Sequence, residues 1–178
     1  VGWDVSNGAD AFPFDPTQWS DEDGDGYGDN LDGTNPDEFP QNPTQWNDTD
    51  GDGYGDNISG LEPDLFPTDN TQWDDFDEDG YGDNPDGNSP DSCPEIFGNS
   101  SIEFLGCPDS DGDGWWDDKD EFPDDSDQWK DSDGDGFGDN PPPANNSDDC
   151  LDTFGTSWID RNGCIDSDED GYSDLNDD

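Results

Sequence analysis

The sequence predicts an irregular fold, mostly coil with little regular secondary structure, organised as a linear array of six loop repeats with two local disulfides. Three observations carry that expectation. An Asp/Gly-rich motif returns six times along the chain. Apolar residues keep neither a helical period nor a strand alternation for more than a few positions, while 23 Gly and 15 Pro punctuate every repeat. Four cysteines fall into two pairs, Cys93 with Cys107 and Cys150 with Cys164, each 14 positions apart.

The repeats come first in the reading, because a missed period misplaces everything else. Gln18-Trp19, Gln45-Trp46 and Gln72-Trp73 recur at a spacing of 27, and Gln128-Trp129 returns later. Alignment on them starts repeats one to six at Asp10, Asp37, Asp64, Asp91, Asp120 and Asp148, giving one array of spans 10–36, 37–63, 64–90, 91–119, 120–147 and 148–178. Residues 1–9, with Trp3 and Asp4, read as a boundary or partial repeat, and both ends read as places where an array could continue. Repeats one, two, three and five run Asp-x-Phe-Pro, a polar spacer, Gln-Trp and an Asp/Gly loop. Repeats four and six replace the first half with a cysteine-bracketed segment. These two align without a gap at an offset of 57, matching Cys93 with Cys150, Phe97 with Phe154, Gly106 with Gly163 and Cys107 with Cys164. A single helical turn is expected around Pro43 to Trp46 and its equivalents, where Asn or Asp precedes a Pro suited to a first helical position.

Composition bounds what such a chain can do. Against 53 Asp and Glu stand only 3 Lys and Arg and no His, a formal net charge of −50, and only 24% of residues are hydrophobic. In bare water such a chain is expected to stay disordered. Cations must therefore come from outside. Nucleic acid is excluded as a partner, since phosphate contacts need basic residues and the chain offers only Lys119, Lys130 and Arg161. Anionic membrane surfaces are disfavoured likewise, and no stretch is apolar enough for insertion or resembles a signal peptide. A start at Val1 rather than Met suggests a processed protein or a section of a longer one. For the cysteines, zinc competes with disulfides, but it wants Cys-x-x-Cys hooks or His, and neither is present. Disulfides imply an oxidising compartment, so the chain is expected to be extracellular, secreted or at a cell surface, where calcium is available at about millimolar levels.

The chemistry lies in the loops, each Asp-x-Asp-x-Asp-Gly-aromatic-x-Asp or a near copy. Carboxylates at positions one, three and five alternate along a chain that must curl, and Gly at position six permits the backbone angles that close the curl around an ion. The carbonyl of position seven then points inward, and position nine adds another acid. The candidate ligands are Asp21, Asp23, Asp25, Tyr27 and Asp29 in loop one, and Asp48, Asp50, Asp52, Tyr54 and Asp56 in loop two. Loop three offers Asp75, Asp77, Asp79, Tyr81 and Asp83; loop four, Asp109, Asp111, Asp113, Trp115 and Asp117. Loop five offers Asp131, Asp133, Asp135, Phe137 and Asp139; loop six, Asp166, Asp168, Asp170, Tyr172 and Asp174. A twelfth-position acid would complete the six to eight oxygens calcium favours. It is present as Asp32, Asp86, Asp120 and Asp177, whereas Ser59 and Pro142 occupy it in loops two and five, which must recruit water or a neighbouring carboxylate and are expected to be weaker. Magnesium is the lesser candidate because its octahedral shell is seldom all protein oxygen, and zinc or copper would lack nitrogen and sulfur ligands. At least six calcium ions are expected.

This pattern resembles the thrombospondin type 3 repeat, whose core is Asp-x-Asp-x-Asp-Gly-x-x-Asp-x-x-Asp. The likeness extends over residues 10 to 178, and the loops beginning at Asp21, Asp75, Asp109 and Asp166 match its acids at every position. The resemblance implies loops wound around a line of calcium ions, neighbours tied by disulfides and short contacts, and a non-catalytic extracellular role. The chain departs from the animal form by lacking cysteines in four repeats, where Phe-Pro and Gln-Trp stand instead; this variant looks like those of large microbial surface and secreted proteins. Dockerins share the loop but follow it with a helix, which Asn-Leu-Asp, Asn-Pro-Asp or Asn-Pro-Pro stops here.

The remaining repeated residues also call for roles. Phe12, Trp19 and Tyr27, and their equivalents through Phe122, Trp129 and Phe137, are expected to pack as the main apolar material, with carbohydrate or cation cages the alternative. In the cysteine repeats a disulfide with Phe97 or Phe154 takes that place. Six divalent ions would still leave about 38 negative charges. Asp10, Asp37, Asp64, Asp91, Asp120 and Asp148 therefore either complete shells or bind further ions in adjoining repeats, or are solvated surface charge; both readings stand. Sequons occur at Asn47, Asn57, Asn99 and Asn145. Enzyme function finds no support, for want of His, an activated nucleophile or an apolar cleft. The expected function is a calcium-rigidified rod or filament-forming segment that self-associates end to end, the alternative a calcium-dependent adhesin or mineral-binding module with a cell-surface or matrix partner.

Overall fold

A computed structural model of the chain describes residues 10–175; the boundary segment 1–9, with Trp3 and Asp4, and Asp177 of loop six lie outside the described residues. Among the described residues there is no helix and no strand, only four isolated parallel bridges, Gly28 with Pro36, Gly55 with Pro63, Gly82 with Pro90 and Gly138 with Ser147. The fold is therefore mostly coil, as the absence of periodicity predicts. Two compact units, Val1–Pro90 and Asp91–Asp178, divide between repeats three and four.

Each cysteine-free repeat is closed by the same few hydrogen bonds. The N–H of the residue after the leading Asp donates to the Trp carbonyl, Glu38 to Trp46 at 3.2 Å and Leu65 to Trp73 at 3.1 Å. The spacer between them makes two successive turns, Asn42 N–H to Phe39 O at 2.8 Å and Gln45 N–H to Asn42 O at 2.9 Å. The helical turn expected around Pro43 to Trp46 does not form. Asn42 Oδ1 instead accepts from the Thr44 N–H and hydroxyl at 3.2 and 2.7 Å, a local bond that competes with a helical ladder.

The interior of these repeats is an amide. Gln18, Gln45, Gln72 and Gln128 are among the largest fully buried side chains. Gln45 Nε2 donates to the carbonyls of Asn57 and Leu61 at 3.0 and 3.4 Å, and its Oε1 accepts the Asn57 N–H at 2.9 Å. Gln18, Gln72 and Gln128 repeat the pattern. Glycine admits this close approach, since a Cβ at Gly55 would lie 2.2 Å from Gln45 Oε1. Both polar atoms of the amide head find partners, through three hydrogen bonds, which is the condition for burying them.

The aromatic rings pack on one another, as their recurrence predicts. Phe104 meets Trp116 within repeat four at 5.3 Å and 55°, and loop aromatics pair with the tryptophan of the following repeat: Tyr27 stacks on Trp46 at 4.8 Å and 3°, and Tyr54 on Trp73 at 5.0 Å and 4°. Trp115 meets Trp129 at 6.3 Å in the same sense. None of these rings is fully buried, and Trp19 is 57% exposed.

In the cysteine repeats the disulfides form as the spacing predicts, Cys93–Cys107 and Cys150–Cys164. Phe97 and Phe154 do not join them; both are exposed, because the buried material is Cys107 with Ser100 and Cys164 with Ser157. The Ser100 hydroxyl accepts the Cys107 N–H at 2.9 Å and donates to the Phe104 carbonyl, and Ser157 does the same between Cys164 and Arg161. A serine hydroxyl thus plays the part that glutamine plays elsewhere.

Candidate metal centre

Every loop is built by the same three backbone devices. The position-nine N–H closes each loop onto the carbonyl just before it, as in Asp29 to Ser20 at 3.1 Å, Asp56 to Asn47 at 2.9 Å, Asp117 to Pro108 at 2.9 Å and Asp174 to Ile165 at 2.8 Å. The position-one carboxylate accepts the N–H groups of positions four and six: Asp48 takes Gly51 at 2.7 Å and Gly53 at 2.9 Å, and Asp166 takes Glu169 at 2.7 Å and Gly171 at 2.8 Å. The position-five carboxylate accepts the N–H of position seven, fixing Tyr27, Tyr54, Tyr81, Trp115, Phe137 and Tyr172 at 2.8 to 3.0 Å from their partners. Position six has left-handed φ in all six loops, from 94° at Gly136 to 100° at Gly114, as its Gly predicts. Position four is left-handed as well, and there loops three and six carry Glu78 and Glu169 rather than glycine.

These devices bring the acids together. Ligand oxygens of Asp21, Asp23 and Asp25 lie within 4.8 Å of one another, as do those of Asp48, Asp50 and Asp52, of Asp75, Asp77 and Asp79, of Asp109, Asp111 and Asp113, and of Asp131, Asp133 and Asp135. Such triplets could hold a metal ion. Loop six, Asp166 to Asp174, repeats the hydrogen bonds of the others.

Position nine has a different role from that of a bare ligand. Both oxygens of Asp56, Asp117, Asp139 and Asp174 accept from the N–H and hydroxyl of the Ser or Thr at position two, at 2.5 to 3.1 Å. Burial opposes ionisation of Asp56 and Asp139, but these donors outweigh it and hold both below the ordinary carboxylate range. Asp139 also pairs with Lys130 at 3.1 Å. In loop three, Phe76 brings an N–H and no hydroxyl, and burial, with the charges of Asp74, Asp75 and Asp77, pushes Asp83 up. Asp29 accepts the Glu22 N–H at 3.2 Å.

At position twelve, Asp32 and Asp86 are exposed, and each has its N–H bonded to the side chain of the Asn two residues before it, Asn30 or Asn84. Asp120 alone among the described twelfth-position acids is buried. The acids that meet the loops are those that open the following repeat. Asp37, Asp64, Asp120 and Asp148 are each pushed up to about 6, first by burial and then by the carboxylates of the preceding loop: Asp25, Asp23 and Asp29 for Asp37, and Asp52, Asp50 and Asp56 for Asp64. Asp91, the first residue of the second unit, is buried within that unit, its Oδ1 accepting the Cys93 N–H at 2.7 Å. Loops two and five, which lack a twelfth acid, thus have a neighbouring carboxylate, and so does loop one. The sign in the sequence was the return of an Asp at the head of every repeat.

The donor set fits a hard divalent cation. Asp23 Oδ2, Asp25 Oδ2, Asp50 Oδ2, Asp52 Oδ2, Asp111 Oδ2 and Asp113 Oδ2 are buried without a hydrogen-bond donor. Burying carboxylate oxygens unpaired is costly, and a cation coordinated by several oxygens removes that cost. Compared with known proteins, the chain matches no family model and no curated protein.

Proposed function

We propose that this chain is a non-enzymatic, extracellular calcium-binding structural protein, a rod or filament-forming segment whose loops are ordered by calcium. The observation that carries the reading is the repeated set of donor-free buried oxygens at positions three and five, which returns in loops one, two and four. Calcium suits them because it takes six to eight oxygens in flexible geometry, whereas magnesium demands a tighter octahedron and keeps its waters. The likeness of the loops to thrombospondin type 3 repeats supports the same ion and a structural role. Two disulfides support an oxidising location, and among the described residues no helix is long and apolar enough to cross a membrane. Exposed Phe14, Ile58 and Phe76 favour a second reading, an adhesin or surface module with a cell-surface or matrix partner.

A calcium titration followed by circular dichroism and tryptophan fluorescence tests the first reading. A cooperative ordering transition is expected at roughly 0.1 to 1 mM. Identical spectra in calcium and after prolonged dialysis against excess chelator would sink it. Electron micrographs separate the two readings: filaments that disperse on chelation support the first, and monomers that bind cells or mineral support the second.

A further inference from the structure

We propose that the leading acids of repeats two and three, Asp37 and Asp64, are each a ligand for the metal loop of the repeat before, so that one divalent cation is held by two consecutive repeats. Asp37 serves loop one in this way and Asp64 serves loop two. The inference rests on the calcium reading above and adds to it the residue that joins one site to the next repeat.

Both side chains are more than nine-tenths buried, Asp37 at 0% and Asp64 at 2% exposure. Their two oxygens are used unequally. Oδ1 accepts the N–H two residues on, Phe39 at 2.8 Å and Phe66 at 2.7 Å, which fixes the rotamer. Oδ2 is buried and has no donor. The backbone pins each residue to the preceding loop, with Asp37 N–H on Gly28 O at 2.8 Å and Asp64 N–H on Gly55 O at 2.8 Å, and Gly28 and Gly55 are loop position eight. Asp23 Oδ2 and Asp25 Oδ2 in loop one, and Asp50 Oδ2 and Asp52 Oδ2 in loop two, are likewise buried and donor-free. The same three atoms, two from one repeat and one from the next, therefore recur at both junctions. An ionised carboxylate offers only acceptors, so no protein group among the three can satisfy another. A cation can satisfy all of them. The arrangement is directional: a loop depends on the repeat that follows it.

The test uses the full chain and calcium alone, with stoichiometry and affinity read by equilibrium dialysis and calorimetry. Asp37→Asn keeps the Oδ1 acceptor for Phe39 and replaces only the charged, donor-free side. It is expected to weaken one site by about tenfold or more, and Asp64→Asn, at an independent junction, to weaken another by the same amount. Glu62→Gln removes one exposed negative charge and is expected to leave the isotherm unchanged. Should Asp37→Asn and Asp64→Asn both titrate like the unaltered chain, the proposal is overturned while the calcium reading stands. It is overturned equally if Asp32→Asn, at the exposed twelfth position, loses the loop-one site instead. A chain that binds no calcium at all removes the calcium reading itself.

Discussion

A buried glutamine amide occupies the place that a leucine or valine would take in an ordinary small domain, and its value depends on complete pairing. Removing it leaves the N–H of Asn57 without a partner, takes one of two donors from the carbonyls of Asn57 and Leu61, which keep the Gly60 N–H and Asn42 Nδ2, and opens a cavity where Gly55 and Gly60 approach. Gln45→Ala is accordingly expected to destabilise the calcium-loaded protein by about 3 kcal/mol, the sum of the unpaired N–H, the lost hydrogen bonds and the lost packing. Chemical unfolding at saturating calcium measures it. At this scale the loop acids were legible, because an Asp at every second position followed by Gly has few uses besides coordination. Gln45 was not, since glutamine is usually exposed and hydropathy marks it as surface. Its signal was relational: Gly55 and Gly60 stand ten and fifteen residues beyond it, as Gly28 and Gly33 stand beyond Gln18.

Between neighbouring repeats, a loop aromatic stacks on the following tryptophan, as Tyr27 does on Trp46 and Tyr54 on Trp73. Tyr54 and Trp73 lie nearly parallel at 5.0 Å, so a double-mutant cycle of Tyr54→Ala and Trp73→Ala is expected to give a coupling of about 0.5 to 1.5 kcal/mol. Thermal unfolding in calcium supplies the four midpoints. That aromatics would pack was readable from their recurrence. Which ring meets which was not, because the partner of Tyr54 lies 19 residues on, in the next repeat, and no local period encodes that distance. The disulfides were readable for the opposite reason: a separation of 14 positions between cysteines, twice, leaves a short loop that closes on itself. The helical turn near Pro43 failed because a propensity rule cannot see the Asn42 side chain taking the Thr44 N–H.

For the molecule as a whole, the controlling quantity is charge, −50 over 178 residues, and it makes pH a substitute for metal. Asp37, Asp64, Asp120 and Asp148, raised to about 6, hold more protons folded than unfolded. Their contribution to metal-free stability is full below the ordinary carboxylate value near 4 and lost as pH rises through about 6. Asp56 and Asp139, held low by their donors, work the other way and lose their contribution as pH falls below the ordinary range. In chelator, tryptophan fluorescence is therefore expected to report most order near pH 4 to 5 and loss of order by pH 7. In calcium that loss is expected to vanish, since the cation occupies the place of the protons. The fold class was legible from composition and period. The handover of acids between repeats was not, because it depends on burial, which a uniformly acidic sequence hides. One further consequence comes from what fills the interior. Among the described residues the only fully buried apolar side chains are Cys107 and Cys164. Melting such a chain uncovers mostly polar surface, so the heat-capacity increment per residue falls well below that of a globular domain. The stability curve is then shallow: warming or chilling alters the balance gradually, and low temperature brings no collapse of a water-driven core.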